Sequence, residues 1–250
     1  MSFAQAPPPG YPVPAAMRAL ADGRGVTLVW LNGVGGLTGR VDADPAQGLP
    51  ERFIKWNPIG SGESLAAEAE RLGWLWGKHP APVVLDYVLT DDAELLVTEA
   101  LPGLSAVDPK WVARPKDAVR AIAEGLRRLH SIPLEDCPFD WGVEARIQQA
   151  EAAGLVVPEA LRSSPTIDQL VICHGDACAP NTLIAEDGHF LASVDLGRLG
   201  LADRWADLTV ATMSLAWNYP AYDEAVFWQC YGIEPDQERI AYYRELWNGT

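Results

Sequence analysis

The stretch Val171–Gly197 reads VICHGDACAPNTLIAEDGHFLASVDLG and carries reactive polar side chains in a fixed order. A His-Gly-Asp motif ends at Asp176, Asn181 follows five residues later, and an Asp-Leu-Gly motif begins at Asp195, fourteen residues after the asparagine. A carboxylate such as that of Asp176 can position a hydroxyl group and accept its proton. Amide and carboxylate oxygens, as in Asn181 and Asp195, are the hard ligands that suit Mg²⁺. The stretch therefore predicts an acid–base group beside a magnesium site.

Protein kinases use the same order, with a His-Arg-Asp motif, an asparagine five residues later, a short hairpin and an Asp-Phe-Gly motif. Each motif alone is a weak signal, because Asp and Asn most often stabilise loops through backbone hydrogen bonds. The ordered set predicts phosphoryl transfer from ATP to a hydroxyl group. In this interpretation Asp176 is the catalytic base, and Asn181 and Asp195 bind Mg²⁺.

Residues upstream of this stretch supply further parts of a nucleotide site. The glycine-dense segment Asn32–Thr38, NGVGGLT, would offer backbone N–H groups at Gly35 and Gly36 to a triphosphate, although on its own it equally suits a hairpin turn. Lys55 follows in a strand-like run and would bind the α- and β-phosphates of ATP.

A glutamate on the next helix, predicted over Glu63–Lys78, would pair with Lys55. Glu68 shares a helix face with three leucines at spacings of three, four and seven residues, and that face points toward the sheet. We therefore expect Glu68, rather than Glu70, to be the partner of Lys55.

The chain is predicted to form two lobes of the α+β class, an N-terminal antiparallel sheet with a helix and a mainly helical C-terminal lobe. A Pro-rich lead-in covers residues 1–15, the nucleotide-binding lobe 16–100, and the catalytic and substrate-binding lobe 101–250, with a hinge near 97–104. At this hinge, main-chain groups of Thr98 and Ala100 are expected to face adenine.

Periodicity and turn residues place the elements of the two lobes. Strands are predicted at Val26–Asn32, Glu51–Trp56, Val83–Leu89, Glu94–Glu99, Leu170–Cys173 and Phe190–Val194. Helices beyond the hinge are predicted at Lys116–Ile132, Trp141–Ala153, Ala202–Trp217, Tyr222–Tyr231 and Pro235–Trp247. We expect the first two strands to form a hairpin whose loop is the glycine-dense segment.

The sequence resembles the aminoglycoside O-phosphotransferases of the kanamycin-kinase (3′-phosphotransferase) type, a bacterial antibiotic-resistance family with a protein-kinase-like fold. The matching segments are Glu68–Leu75, Leu129–Ser131, Cys137–Phe139, Cys173–Cys178 with Pro180 and Asn181, Asp195–Gly200, Ala202–Leu208 and Gly232–Arg244. The resemblance implies ATP and Mg²⁺ as cofactors, a cationic aminoglycoside as substrate, and the roles given above for Asp176, Asn181, Asp195, Lys55 and Glu68. It also implies that Asp203 and Arg204 brace the catalytic loop.

The chain departs from this family where its members hold the amines of their substrates with acidic side chains. After an Ala-Gly-Leu-Val segment, Glu159 is the one early acid, and the expected acidic position after Thr212 reads Met213-Ser214. Glu159 is the acidic candidate for substrate binding. Arg198, directly after the Asp-Leu-Gly motif, is a second candidate, which would act on phosphate charge.

The composition excludes some partners. Among 250 residues, 19 Lys and Arg face 34 Asp and Glu, a formal net charge of −15, which disfavours binding to nucleic acid or to an anionic membrane. The charge permits a polycationic substrate, but a role in solubility alone explains it more simply. Residues 1–14 contain no Lys or Arg and resemble no secretory signal, so a cytoplasmic location is expected. The oligomeric state stays open.

Three alternatives differ from an aminoglycoside kinase. The first is a kinase of another hydroxylated small molecule, and the second is a catalytically idle nucleotide-binding protein, which the complete set of catalytic and metal residues disfavours. The third is a metal-dependent hydrolase built on Cys173, His174, Asp176 and Cys178, whose spacing fits no tetrahedral metal site.

Overall fold

The computed structural model describes residues 6–250, so the first five residues of the predicted lead-in lie outside the described part. The chain divides into two compact units, each with its own apolar core. The first unit holds the described residues through Trp74 together with Pro82–Leu101, and the second holds Leu75–Ala81 together with Pro102–Thr250.

The first unit is an antiparallel sheet with helices. It contains α1 (Ala15–Ala19), β1 (Val26–Leu31), β2 (Leu37–Val41), β3 (Arg52–Pro58), α2 (Leu65–Leu75, whose last residue belongs to the second unit), β4 (Val84–Leu89) and β5 (Ala93–Glu99). The strands lie in the order β1-β2-β3-β5-β4. This arrangement makes β3, which carries Lys55, the central strand.

The predicted hairpin between the first two strand-like runs is wrong, because β2 lies between β1 and β3 and pairs with both. Its buried positions alternate, but one of them is Gly39, which hides the apolar pattern of the strand. A Cβ atom at Gly39 would lie 2.6 Å from Val26 Cγ1 and 2.8 Å from Met17 Cε. The glycine is therefore needed for packing, and the turn itself is shorter than the predicted loop.

The second unit is mainly helical, with short strands that hold the candidate catalytic residues. Its helices are α3 (Pro109–Val112), α4 (Pro115–Leu129), α5 (Val143–Ala152), α6 (Trp205–Asn218), α7 (Glu224–Tyr231) and α8 (Gln237–Gly249), with 3₁₀ turns at Glu159–Arg162 and Ala179–Asn181. Its strands are β6 (Leu104–Ser105), β7 (Leu170–Cys173), β8 (Thr182–Ile184), β9 (Phe190–Ser193) and β10 (Gly200–Asp203). β7 pairs with β10, and β8 lies between β6 and β9.

Helix α4 shows why the helical part was predictable. Pro115 occupies its first turn, where a missing N–H costs nothing, and the apolar face that includes Val119, Ile122 and Leu126 is buried. The helix ends at Leu129, three residues before its predicted end, and the other predicted helices differ from the structure by one to three residues at one or both ends.

The helix predicted over Ala202–Trp217 begins at Trp205 instead, because β10 precedes it and pairs with β7 through the register Gly200↔Cys173 to Asp203↔Leu170. This pairing places the start of α6 beside the start of β7, at Leu170. Within residues 6–250, no helix combines the length and the apolar character that crossing a membrane requires.

Candidate active site

The catalytic-loop candidate, residues 174–181, begins where β7 ends and is fastened to α6 by a buried carboxylate. Asp207 Oδ2 accepts a hydrogen bond from the backbone N–H of His174 at 2.6 Å, and Oδ1 accepts one from Gly175 at 3.0 Å. Asp207 lies in the first turn of α6, and its carboxylate contacts the two residues that follow β7. The start of the loop is therefore fixed by α6.

Asp207 is the centre of a buried hydrogen-bond network. His130 Nε2 lies 3.0 Å from Asp207 Oδ2, and His130 Nδ1 lies 2.8 Å from the hydroxyl of Tyr231 on α7. Burial alone would raise the pKa of Asp207, but the hydrogen bonds and charges of His130 and His174 outweigh it and lower that pKa below its usual value. Asp207 is thus an ionised acceptor.

His130, Cys173 and Asp207 also have potential metal-ligand atoms within 4.8 Å of one another. Both ring nitrogens of His130 have hydrogen-bond partners, and both oxygens of Asp207 accept backbone N–H groups. Burial, together with the charge of Asp207, raises the pKa of the Cys173 thiol well above its usual value, and a protonated thiol is a poor metal ligand. This cluster is a hydrogen-bond centre rather than a metal site.

Gly175 lets the loop approach the segment after the Asp-Leu-Gly motif. Its φ is +83°, and a Cβ atom there would lie only 2.2 Å from the carbonyl oxygen of Arg198. A larger residue would clash with backbone as well as adopt an unfavourable conformation. The glycine of the His-Gly-Asp motif is therefore required to bring the two motifs together.

The three residues predicted to act on phosphate and hydroxyl lie on neighbouring segments. Asn181 Nδ2 donates to the Asp176 carbonyl at 2.9 Å, and the backbone N–H of Val194 donates to the Asn181 carbonyl at 2.9 Å. His174 Nε2 lies 3.0 Å from the Val194 carbonyl oxygen. The structure thus brings Asp176, Asn181 and the residue before Asp195 together through direct hydrogen bonds.

The carboxylate of Asp176 is held in a half-buried position. Its Oδ1 atom is buried and has no hydrogen-bond partner among the described residues. A buried oxygen without a partner is costly and calls for a ligand, a solvent molecule or a substrate group. This atom is therefore suited to receive a hydroxyl group.

Asp195 is exposed and has a left-handed backbone, with φ of +62°. Asp tolerates this region better than most residues, and such conformations concentrate at functional sites. The Asn181 amide nitrogen is already used by the Asp176 carbonyl, which leaves the amide oxygen as the ligand-type atom. One amide oxygen and one exposed carboxylate on neighbouring segments are a donor set that fits Mg²⁺.

In the first unit, Lys55 and Glu68 form a close ion pair. Lys55 Nζ lies 2.7 Å from Glu68 Oε1 and 2.8 Å from Oε2. Glu68 is buried on α2, whereas Glu70 is exposed. Lys55 lies on β3 between Thr38 of β2 and Leu96 of β5, so the sheet fixes its position. The charge of a buried carboxylate requires such a partner.

In the glycine-dense turn, backbone N–H groups already donate hydrogen bonds to Asn32. Asn32 Oδ1 accepts hydrogen bonds from the N–H of Val34 and of Gly36, and the Asn32 carbonyl accepts that of Gly35 at 3.3 Å. A Cβ atom at Gly36 would lie 2.0 Å from Asn57 Oδ1. Phosphate contacts through Gly35 and Gly36 would have to displace these bonds, and they stay a prediction.

The two main-chain positions predicted to face adenine lie at the end of β5. Thr98 is buried in the ladder between Phe53 and Val84, and the Ala100 N–H donates to the Glu51 carbonyl at 3.3 Å. An adenine contact by Ala100 would therefore use its carbonyl group or exchange this bond. The contact itself stays a prediction.

The predicted substrate-side residues lie on the surface of the second unit. Glu159 Oε2 accepts a hydrogen bond from Arg162 Nε at 3.1 Å, and its side chain is 91% exposed. The Arg198 guanidinium lies 5.8 Å from the ring centre of Trp141. Their contact with a substrate stays a prediction, and Glu159 already has a cationic neighbour.

Asp203 and Arg204 were expected to brace the catalytic loop. The residue that contacts this loop is instead Asp207, which the sequence analysis did not single out. Asp203 Oδ2 accepts from the Asp168 N–H at 2.9 Å, and Arg204 pairs with Asp168. These contacts hold the segment before β7, whereas Asp207 holds the catalytic loop itself. In the helix predicted over Ala202–Trp217, Asp207 comes one turn after Asp203, and this spacing was a signal for a second inward-facing carboxylate.

The chain is similar to known phosphotransferases. A model of the phosphotransferase enzyme family matches residues 40–247. The chain is 37% identical over 241 residues to an aminoglycoside 3′-phosphotransferase from Streptomyces fradiae, which covers 84% of this chain and 88% of that protein.

Solved structures give the same result. The crystal structure of an aminoglycoside-3′-phosphotransferase of type VIII has a TM-score of 0.75 and 30% identity, covering 94% of this chain and 98% of that one. The aminoglycoside phosphotransferase APH(3″)-Id from Streptomyces rimosus, in complex with ADP and streptomycin, has a TM-score of 0.69 and 27% identity, covering 92% and 94%.

These neighbours confirm the protein-kinase-like fold class that the motifs predict. The chain belongs to the phosphotransferase enzyme family. Its predicted enzyme class, a phosphotransferase, is thereby confirmed.

Proposed function

We propose that this protein transfers the γ-phosphoryl group of ATP to a hydroxyl group of an aminoglycoside. The observation that carries the proposal is the unpartnered, buried Oδ1 of Asp176 on a loop fixed by Asp207 and Asn181. Relatives named as aminoglycoside phosphotransferases, and a solved neighbour that holds ADP and streptomycin, support the choice of donor and acceptor.

In the proposed reaction, Asp176 accepts the proton of the acceptor hydroxyl as its oxygen attacks the γ-phosphorus. The new O–P bond forms, the bond between the γ-phosphorus and the bridging oxygen breaks, and ADP leaves. Lys55, oriented by Glu68, would bind the α- and β-phosphates. Asn181 and Asp195 would hold Mg²⁺, which when bound would neutralise negative charge on the phosphates.

Coupled ADP release with Mg-ATP and a panel of kanamycin, neomycin and streptomycin tests the proposal. Asp176→Asn keeps the size of the side chain but removes its basicity, so kcat should fall by about 10²- to 10⁴-fold. Asp187→Asn, on the exposed turn between β8 and β9, is the matched control and should leave kcat within about twofold. Equal activity of the two variants would refute Asp176 as the base.

A second candidate is a kinase of a hydroxylated acceptor with fewer amines. It is favoured because the chain offers few acidic side chains that could bind the amines of a substrate. Glu159 is already paired with Arg162, and the expected acidic position holds Met213 and Ser214. Wild-type protein that binds ATP but turns over no aminoglycoside in the panel would favour this candidate.

A further inference from the structure

Helix α6 touches the catalytic loop at two places on one face. Asp207 and Ser214 are seven residues apart, which is two helical turns and about 10.5 Å along the axis. Asp207 accepts the N–H groups at the start of the loop, whereas Ser214 contacts its other end, at Ala179. Asp176 lies between these two attachment points.

Ser214 is fully buried and has well-defined partners. Its Oγ accepts a hydrogen bond from the backbone N–H of Ala179 at 2.8 Å. Asn218 Nδ2, one turn further along α6, donates to the Ser214 carbonyl at 2.8 Å and to its Oγ at 3.1 Å. The hydroxyl oxygen thus accepts two N–H groups, and this fixes its position.

Two residues, Ala177 and Cys178, lie between Asp176 and Ala179, and Cys178 carries a thiol. Its thiol interacts with both the Asp176 carboxylate and the Ser214 hydroxyl, and burial followed by the charge of Asp176 raises the pKa of the thiol far above its usual range. The thiol therefore stays protonated and uncharged beside Asp176. It adds packing, without a second negative charge, between the carboxylate and α6.

We propose that Ser214 is a positioning residue for phosphoryl transfer, which with Asn218 fixes the end of the loop that carries Asp176. The inference rests on the proposed function of Asp176 as the base. Asn181 bonds the Asp176 carbonyl from within the same loop, whereas Ser214 ties the segment after Asp176 to α6. A displacement of about 1 Å at a reacting group can cost about 100-fold in rate.

Thr212 provides a matched comparison on the same helix. It is also buried, but its hydroxyl donates to the Thr209 carbonyl within α6 at 3.0 Å and makes no hydrogen bond to the loop. Ser214→Ala and Thr212→Val each remove one buried hydroxyl group with little change of volume. Only the first substitution removes a bond to the catalytic loop.

The test measures loop protection and kinetics in the full-length protein. Ser214→Ala should speed hydrogen exchange at the Ala179 amide by about tenfold or more, and should lower kcat by about 10- to 100-fold with the KM for Mg-ATP within about twofold. Thr212→Val should change neither quantity by more than about twofold. Asn218→Ala, at a half-buried position near the end of α6, should shift both in the direction of Ser214→Ala.

Each result decides a different claim. Unchanged exchange at Ala179 in Ser214→Ala would overturn the attachment, and faster exchange with a kcat equal to that of Thr212→Val would overturn the positioning role. If Ser214→Ala does not fold, Asn218→Ala gives the same decision. An active Asp176→Asn would instead refute the proposed base, and the exchange data would still decide whether Ser214 holds the loop.

Discussion

At the scale of single residues, the buried His79 makes the stability of the folded protein depend on pH. Its Nε2 lies 3.0 Å from Ser193 Oγ, its Nδ1 is buried with no partner among residues 6–250, and its ring lies against Phe190. Burial, followed by the charge of Arg128, lowers the pKa of His79 from 6.5 to about 3. The folded protein therefore keeps this imidazole neutral at pH values where the unfolded chain protonates it.

This difference predicts a loss of stability in acid. Between pH 6.5 and 3 the unfolded state binds one more proton at His79, so the free energy of unfolding falls by about 1.4 kcal/mol per pH unit as the pH decreases. At pH 5 the loss relative to neutral pH is about 2 kcal/mol. Urea unfolding of wild type and His79→Gln at pH 7 and pH 5 measures this loss. The variant has no imidazole at position 79, so its free energy of unfolding should fall by about 2 kcal/mol less than that of wild type.

The substitution also removes packing, but that cost is the same at both pH values and cancels in the comparison. His189→Gln, which changes an exposed side chain, serves as the control and should keep the wild-type slope. A His79→Gln protein that loses as much stability between pH 7 and pH 5 as wild type would show that His79 is not the source.

At the scale of secondary-structure elements, β2 depends on the absence of a side chain at one position. The Cβ of Gly39→Ala would lie under 3 Å from Val26 and Met17, so β1 or α1 must shift. Overpacking of this kind costs about 1–3 kcal/mol, which we expect as a lower urea midpoint with an unchanged slope. Gly25→Ala, where nothing lies within 4 Å, should stay within about 0.5 kcal/mol of wild type; equal midpoints would contradict the packing argument.

Helix α4 and strands β2 and β10 show which secondary-structure elements could be predicted from the sequence and which could not. Helix α4 was predictable because a proline starts it and its apolar residues recur with the helical period. Strand β2 was missed because Gly39 interrupts its alternation. Strand β10 was missed, and its last two residues were included in a predicted helix, because four residues are too few to show a period. Local pattern fails where packing against distant residues decides the structure.

In the candidate site, too, some residues could be predicted from the sequence and others could not. The spacing that links Asp176, Asn181 and Asp195 was readable from the sequence because it matches the order of motifs that protein kinases use for phosphoryl transfer. Asp207 and Ser214 act on backbone N–H groups of a loop some thirty residues earlier in the chain. No motif spacing encodes such contacts, because they depend on the pairing of β7 with β10.

At the scale of the whole molecule, the net charge of −15 should act differently on the two proposed substrates. A polycationic aminoglycoside is attracted, whereas Mg-ATP, which is anionic, is repelled. Salt screens both effects, since the Debye length falls from about 30 Å at 0.01 M to about 3 Å at 1 M. Raising the salt concentration should therefore weaken binding of the first substrate and not of the second.

We expect the KM for kanamycin to rise at least about threefold between 0.02 and 0.5 M KCl, because screening removes the attraction of the acidic surface for a polycation. The KM for Mg-ATP, measured in the same assays, is the internal control and should stay constant or fall. A neutral osmolyte at equal osmolality separates screening from changes in water activity. If the KM for kanamycin does not respond to salt although turnover is observed, the acidic surface takes no part in acceptor binding. The charge would then serve solubility alone.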